Sequence, residues 1–161
     1  MYNNENILYD NINGLSYPAP VSLNPKEQEL YNKNPFKGLK AIWQGKKAMD
    51  ETEKRYSEGL HNGNGDAFRH AYWNAMMVKH IDYNWALDWA TAHEEGAVGQ
   101  PSIEKEMDLY NNEVGRKAVL GKESKSDTEI ADIIQGMVRN GKMKRIVNNK
   151  LVNTNSEGER K

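Results

Sequence analysis

A polar stripe runs through the segment GDAFRHAYWNAMMV, residues Gly65 to Val78, and it holds the side chains best suited to chemistry. At about 100° per residue on a helix, this stripe consists of Asp66, Arg69, His70 and Asn74. Trp73 and Met77 fall inside it, whereas a solvated helix face typically carries Lys and Glu. We therefore expect the stripe to face a pocket or a second interface. A buried ionisable group there must be paired, hydrogen-bonded or metal-bound, because leaving it unsatisfied costs free energy.

A second polar row with the same spacing lies in MDLYNNEVGR. Its members at offsets i, i+3, i+4 and i+8 are Asp108, Asn111, Asn112 and Arg116. Asparagine is a poor helix former, so two in succession at mid-helix indicate a tertiary role. We expect the two helices to pack antiparallel, with the two rows facing each other across a polar cleft that the helix over 82–95 closes.

The pair His93-Glu94 is the third candidate element. Neighbouring residues on a helix point about 100° apart, so only one of the two is expected to face the site. His93 shares a face with Trp85 and Trp89 and is predicted to be the inward one. The structural alternative for His93 is a buried ring bonded to a backbone carbonyl.

The roles follow from the residue types. His70 suits a general base or a metal ligand, and Asp66 one turn earlier suits the group that orients its ring. The structural alternative is a core histidine satisfied by Asp66. A guanidinium binds phosphate bidentately, so Arg69 or Arg116 is expected to hold an anionic group. The predicted catalytic residues are His70, Asp66, Arg69, Asn74, Glu94, Asn112 and Arg116. The predicted metal ligands are His70, His93 and Asp108, for a divalent ion such as Zn²⁺, Mg²⁺ or Ca²⁺.

Composition limits the function classes. The chain has 161 residues, 37% hydrophobic and 28% charged, which fits a single domain. A formal charge of −1 gives no overall positive field, so nucleic acid is disfavoured as a partner. The absence of cysteine removes disulfides, thiolate metal sites and thiol nucleophiles. No secretory signal and no membrane-spanning stretch is visible, which leaves the cytoplasm or export by a leaderless route.

The predicted fold is mainly α: a compact bundle of five or six helices. An extended or partly disordered arm is expected over residues 1–23, one helical domain over 24–150 and a disordered tail over 151–161. Helices are expected to start at Asn24-Pro25, near Phe36, Asp66, Asp82, Ser102 and Asp127. Residues 142–147 fit either a short β-strand or a last helical turn.

The ordered motifs GDAFRHAYWNAMM, ATAHEEG and MDLYNNEVGR resemble a family of uncharacterised helical domains in bacteria. These domains often sit at the C-terminal ends of secreted, wall-associated or Rhs-like polymorphic toxin proteins. The likeness covers roughly His61 to Asn140. It implies a toxin-like setting, with an immunity or carrier protein as a partner. The motif positions in this chain are Asp66, Arg69, His70, Asn74, His93, Glu94, Asp108, Asn112 and Arg116.

The Arg69-His70 pair is also similar to the Arg-His-Asp run on a helix of bacterial phospholipases of the A2 type. Ala71 stands here in place of the Asp, and no disulfides brace the helices. The likeness concerns chemistry rather than ancestry.

Three functions remain open from the sequence. The leading hypothesis is a small hydrolase, metal-dependent or using a His base, that acts on an ester or phosphoester such as a lipid or envelope precursor. The second is a non-enzymatic helical binding module in which the polar rows form a buried network that specifies helix pairing. The third is a nuclease, which would need a basic cleft.

Overall fold

The computed structural model describes residues 23–161 in full and, before them, the backbone of two strands, β1 (Ile7–Ile12) and β2 (Leu15–Pro20). The described residues form six helices: α1 (Pro25–Lys33), α2 (Pro35–Arg55), α3 (Asn64–His80), α4 (Tyr83–Glu95), α5 (Ser102–Ala118) and α6 (Asp127–Arg139). Strands β3 (Lys144–Val147) and β4 (Lys150–Asn153) follow. The predicted mainly α bundle is confirmed. No helix in the described part of the chain has the length and apolar character to cross a membrane.

Side-chain caps set the starts of several helices. Asn24 accepts the backbone N–H of Glu27, whose side chain in turn accepts the backbone N–H of Asn24, and Pro25 occupies the first turn. Asp82 accepts the N–H of Trp85 at the start of α4. Ser126 and Glu129 form a second reciprocal cap at the start of α6. These caps satisfy backbone donors that have no partner within the helix.

Helix α3 is the centre of the bundle, because almost every side chain along it is buried. Trp73 and Met77 are fully buried, as expected for members of a stripe that does not face water. The Trp73 indole donates to the carbonyl oxygen of Ala41 on α2 at 2.9 Å. Phe68 and Tyr72 stack at 5.4 Å between ring centroids on the opposite flank. Helices α2, α4, α5 and α6 all pack against α3.

Helices α3 and α5 run in the same direction, which corrects the predicted antiparallel packing. His70 lies beside Asp108, and Asn74, farther along α3, lies beside Asn112, farther along α5. The chain reverses once before α4 and again before α5, so α4 is the antiparallel helix of the three. The two polar rows still face each other, because their equal spacing matches residue for residue on helices of the same direction.

Both ends of the chain contain short strands, of which the sequence analysis offered only the one within residues 142–147, as one of two alternatives. Within the predicted arm over 1–23, β1 pairs antiparallel with β2, and residues 1–6, 13–14 and 21–22 lie outside the described residues. Residues 142–147 adopt the strand alternative, and β3 pairs with β4.

The tail over 151–161, predicted to be disordered, is ordered and packed. Thr154 is buried and Glu159 forms an isolated β-bridge with Tyr56. The Arg160 backbone N–H donates to the carbonyl oxygen of Arg55 at 2.8 Å. The polar groups of the tail therefore form hydrogen bonds to α2 and to the start of α3.

Candidate functional site

A cavity of about 420 Å³ opens where the start of α3, the end of α4 and the first half of α5 meet. The connection over 97–101 forms part of its rim. Its ionisable lining residues are His61, Asp66, Arg69, His70, His93, Glu94, Glu104 and Asp108. Most of the residues predicted from the first polar stripe and from His93-Glu94 therefore reach one space.

His70 is buried at the floor of this cavity, and its two ring nitrogens have different surroundings. Nδ1 lies 3.0 Å from the backbone carbonyl oxygen of Asp66 and 3.1 Å from its Oδ1. Nε2 lies 3.4 Å from Oε1 of Glu94 and 3.5 Å from Oδ1 of Asp108. The carbonyl oxygen can only accept, so Nδ1 carries a proton. Nε2 therefore faces two carboxylate oxygens. This arrangement is stable when a proton or a metal ion lies between the nitrogen and the oxygens.

Asp66 is the residue that orients His70. Its Oδ1 accepts from Nη2 of Arg69 at 2.6 Å, and its Oδ2 accepts the backbone N–H of Asn62 at 2.7 Å. Burial alone would raise the pKa of Asp66, but the charges of His70 and Arg69 hold it below its usual range. Asp66 is thus an ionised carboxylate inside the first turn of α3, where it fixes both the ring and the loop before the helix.

Glu94 and Asp108 each direct a buried oxygen into the cavity floor. Glu94 Oε1 and Asp108 Oδ1 have no hydrogen-bond partner of ordinary geometry. The other oxygen of Asp108, Oδ2, accepts from Gln100 on the rim at 2.9 Å. Burial, with the nearby charges of Glu94 and Asp66, raises the pKa of Asp108 to about 7 against the attraction of His70. The pKa of Glu94 is lowered to about 2, because the attraction to His70 outweighs the opposing effect of its own burial.

His70 itself is held in its charged form. Burial lowers the pKa of His70, but the negative charges of Asp108 and Asp66 and the proximity of Glu94 outweigh it and raise the pKa well above 6.5. The buried cluster therefore attracts positive charge strongly. A proton supplies this charge in the metal-free protein.

The same cluster could hold a metal ion. Asp66, His70 and Asp108, all buried, offer ligand atoms within 4.8 Å of one another. Asp66 already accepts from Arg69 and Asn62, so Nε2 of His70 and Oδ1 of Asp108 are the better donors. Imidazole nitrogen and carboxylate oxygen together suit a divalent ion such as Zn²⁺.

The second half of the two polar rows is closed off from the cavity. Arg116 donates Nη1 to Oδ1 of Asn74 at 2.8 Å, and Asn74 donates to Oδ1 of Asn112 at 2.9 Å. All three side chains are buried, and none lines the cavity. The structure thus places Asn74, Asn112 and Arg116 in a network between α3 and α5, and Asn112 connects this network to the cavity floor through a side-chain interaction with Glu94 that helps to lower the pKa of Glu94. Asn111 bonds both backbone groups of Lys144 and so fixes β3 to α5.

Both members of the pair His93-Glu94 line the cavity, so His93 faces it as predicted, and Glu94, which was expected to point elsewhere, does so as well. Glu94 is the residue directed at His70, and His93 is not one of the three residues that could hold a metal. The buried residues of α4 are Ala86, Trp89, Ala90, Ala92 and Glu94, and among them Ala86, Ala90 and Glu94 share a spacing of four residues. His93 bonds instead through Nδ1 to Oε2 of Glu27 at 2.9 Å. Sequence analysis missed Glu27 as a site residue, although its position three residues after Asn24 is the signal of a capping box.

Comparison with known proteins adds a family without a known activity. The model of the family described as "Domain of unknown function (DUF6973)" matches residues 28–142, which include every cavity residue named above. No curated protein and no solved structure matches the chain. Because the family model spans well over half of the 161 residues, this chain belongs to the DUF6973 family of domains of unknown function.

Proposed function

We propose that the protein is a hydrolase that acts on an ester or phosphoester with the help of a divalent metal ion at His70 and Asp108. One observation carries the proposal. Nε2 of His70, Oδ1 of Asp108 and Oε1 of Glu94 converge at the floor of an open cavity, where the two oxygens have only long contacts to Nε2, of 3.5 and 3.4 Å. Buried carboxylate oxygens are normally fully satisfied, so such a cluster indicates a site for a cation or a reacting group.

A metal ion bound here would lower the pKa of a coordinated water and polarise an ester carbonyl or phosphoryl oxygen. The residues of the chain supply the other requirements. Asp66 holds His70 in the tautomer that presents Nε2 to the cavity. Glu94, beside Nε2, accepts a proton from the attacking water as the new bond to carbon or phosphorus forms. Arg69 keeps Asp66 ionised and lines the wall of the same cavity.

The charge of the lining favours a substrate with little negative charge. Four carboxylates line the cavity, those of Asp66, Glu94, Glu104 and Asp108. Among the lining residues that the structure describes, Arg69 is the one guanidinium, and it is paired with Asp66. A carboxylic ester or a phosphodiester is therefore preferred over a phosphomonoester dianion. A lipid or envelope precursor fits this class, and a toxin-type effector that acts on one would need a protective immunity protein. The acidic lining argues against a nuclease, whose substrate is a polyanion.

The non-enzymatic alternative has its own support. The buried contacts among Asn74, Asn112 and Arg116 are the kind of network that specifies how two helices pair. In a binding module the cavity cluster would extend this network, and no turnover would be found.

Hydrolysis by metal-loaded protein tests the proposal. The protein is stripped with EDTA, reloaded with Zn²⁺, Mn²⁺, Mg²⁺ or Ca²⁺, and assayed with p-nitrophenyl butyrate, bis(p-nitrophenyl) phosphate and p-nitrophenyl phosphate. We expect turnover of one of the first two and little of the third. His70→Ala and Asp108→Asn should reduce it at least about 100-fold, and the matched Asp88→Asn, at an exposed position of α4, should not. Wild-type protein without metal-dependent turnover of any ester would overturn the proposal in favour of the binding module.

A further inference from the structure

Glu27 and His93 form a second histidine–carboxylate pair, whose histidine lines the same cavity and has no part in the proposed metal site. Oε2 of Glu27 lies 2.9 Å from Nδ1 of His93, and the two side chains are only 4% and 18% exposed. His93 lines the cavity, together with His70 and Glu94. A buried carboxylate bonded to one nitrogen of a cavity-lining imidazole is the arrangement that positions an acid–base histidine.

Glu27 is held in place from two sides. Its Oε1 accepts the backbone N–H of Asn24 at 3.0 Å, so the residue that caps α1 is also the partner of His93. The side chain of Asn24 donates to the carbonyl oxygen of Ala92 at 3.1 Å and packs against Gly96, where a Cβ would collide with it. The start of α1 is thereby fixed to the end of α4. Each oxygen of Glu27 has its own donor, and rotation of the carboxylate would break both bonds.

The orientation of the His93 ring is fixed as well. Trp73 meets it edge-on, with 5.2 Å between ring centroids and an interplanar angle of 82°. With Nδ1 turned to Glu27 on α1, Nε2 is directed away from α1. Glu94 is the next residue, and the charge of His93 contributes to lowering the pKa of Glu94. The imidazole is thus beside the group that accepts a proton in the proposed reaction.

We propose that His93 is the proton donor to the leaving oxygen and that Glu27 is its positioning residue. This inference rests on the proposed function. As the bond between the acyl or phosphoryl centre and the leaving oxygen breaks, the electron pair goes to that oxygen and Nε2 of the His93 imidazolium transfers a proton to it. Glu94 has taken a proton from water in the same cycle, and its transfer back to His93 through solvent restores both groups. One water is consumed, and no oxidant or reductant is required.

The test uses substrates whose leaving groups differ in basicity. A p-nitrophenolate departs without a proton, whereas the alkoxide of ethyl butyrate needs one. His93→Gln should therefore lower kcat on ethyl butyrate about 100-fold or more and on p-nitrophenyl butyrate less than about tenfold. Glu27→Gln should show the same selectivity with a loss of about tenfold. The control is Glu29→Gln on the same helix, where Glu29 is 69% exposed and pairs with Lys33.

Two measurements that do not depend on activity accompany the assay. Long-range ¹H–¹⁵N spectra of the neutral imidazoles, recorded at alkaline pH, should show the His93 proton on Nδ1 in the wild type, and Glu27→Gln should shift this tautomer toward Nε2–H. Metal content should be equal in wild type, His93→Gln and Glu27→Gln.

Equal losses of kcat on both esters in His93→Gln, or an unchanged His93 tautomer in Glu27→Gln, would overturn the inference while leaving the proposed hydrolase function standing. Loss of metal in His93→Gln would make His93 a ligand and also overturn it. A wild type that hydrolyses neither ester would overturn the proposed function, and the role of His93 with it.

Discussion

Gly115 on α5 packs directly against the backbone of Ala71 on α3. A Cβ placed on Gly115 would lie 2.5 Å from Cα of Ala71 and still closer to its carbonyl oxygen. The absence of a side chain at this position is what lets the two helices approach closely. This approach brings the polar rows of α3 and α5 within hydrogen-bond distance on one side of the contact.

Gly115→Ala is expected to destabilise the protein by about 3 kcal/mol, because backbone atoms rather than a flexible side chain would have to move. Chemical denaturation would measure the loss. The matched control is Gly136→Ala on α6, where a Cβ meets nothing within 4 Å. Alanine favours a helix over glycine by about 0.8 kcal/mol, so Gly136→Ala should be slightly stabilising. Equal stabilities of the two variants would contradict the close approach.

Asn74→Ala is expected to cost about 3 kcal/mol of folding free energy, because it leaves the buried guanidinium of Arg116 without its acceptor. The same substitution at Asn84, which is exposed on α4, should change stability by less than about 0.5 kcal/mol. Thermal unfolding of both variants gives the comparison. A normally stable Asn74→Ala protein that has lost its metal would show that Asn74 belongs to the cavity and not to the closed network.

The metal-free protein should lose stability as pH rises from about 5.5 to about 7. The pKa of Asp108 is raised from 3.8 to about 7, so across this window the folded state keeps a proton that the unfolded chain has released. His70 acts in the same sense above its unfolded pKa of 6.5, because its folded pKa is also raised. Asp66 and Glu94 have lowered pKa values and act in the opposite sense below about pH 5.5, where their carboxyls in the unfolded chain, with pKa values of 3.8 and 4.5, still bind protons. The slope from Asp108 should approach about 1.4 kcal/mol per pH unit.

Unfolding of EDTA-treated protein by urea between pH 4 and pH 8 would measure this slope. Asp108→Asn removes the titrating carboxyl and should flatten the curve in that window, whereas Asp88→Asn should leave it unchanged. A stability that rises with pH from about 5.5 to about 7 would contradict the buried cluster of acids around His70.

Local signals in the sequence were sufficient to predict the helices. Asn24 before Pro25 marks the start of α1, and Ser126 before Asp127 marks the start of α6. Trp73 and Met77 within a polar stripe correctly indicated that this stripe is buried. These features depend on contacts within a few residues, which a single sequence displays.

The direction of α5 and the presence of both His93 and Glu94 at the cavity depend on packing that no local pattern records. The large aromatic residues of α4 correctly indicated a buried position, since Trp89 is fully buried, but they gave no sign that Glu94 is buried as well. Glu27 lies far from His93 in the sequence, and only the docking of α1 on α4 brings them together.

The tail over 151–161 was predicted to be disordered because of its composition. Its order comes from the hairpin at Asn148-Asn149, where both residues have positive φ, and from hydrogen bonds to Arg55 and Asn64. Two asparagines between the apolar pairs Ile146-Val147 and Leu151-Val152 are compatible with a tight hairpin turn, and that signal was present in the sequence.

The most direct test of the metal site is the metal content of the purified protein and its effect on stability. After loading and dialysis, elemental analysis of the wild type should find about one divalent ion per chain, and His70→Ala and Asp108→Asn should hold none. Free ion at a hundredfold excess over its Kd should stabilise the wild type by about 2.7 kcal/mol, and EDTA should reverse this. A wild type that retains no ion and unfolds at the same temperature with EDTA as with Zn²⁺, Mn²⁺, Mg²⁺ or Ca²⁺ would contradict the account.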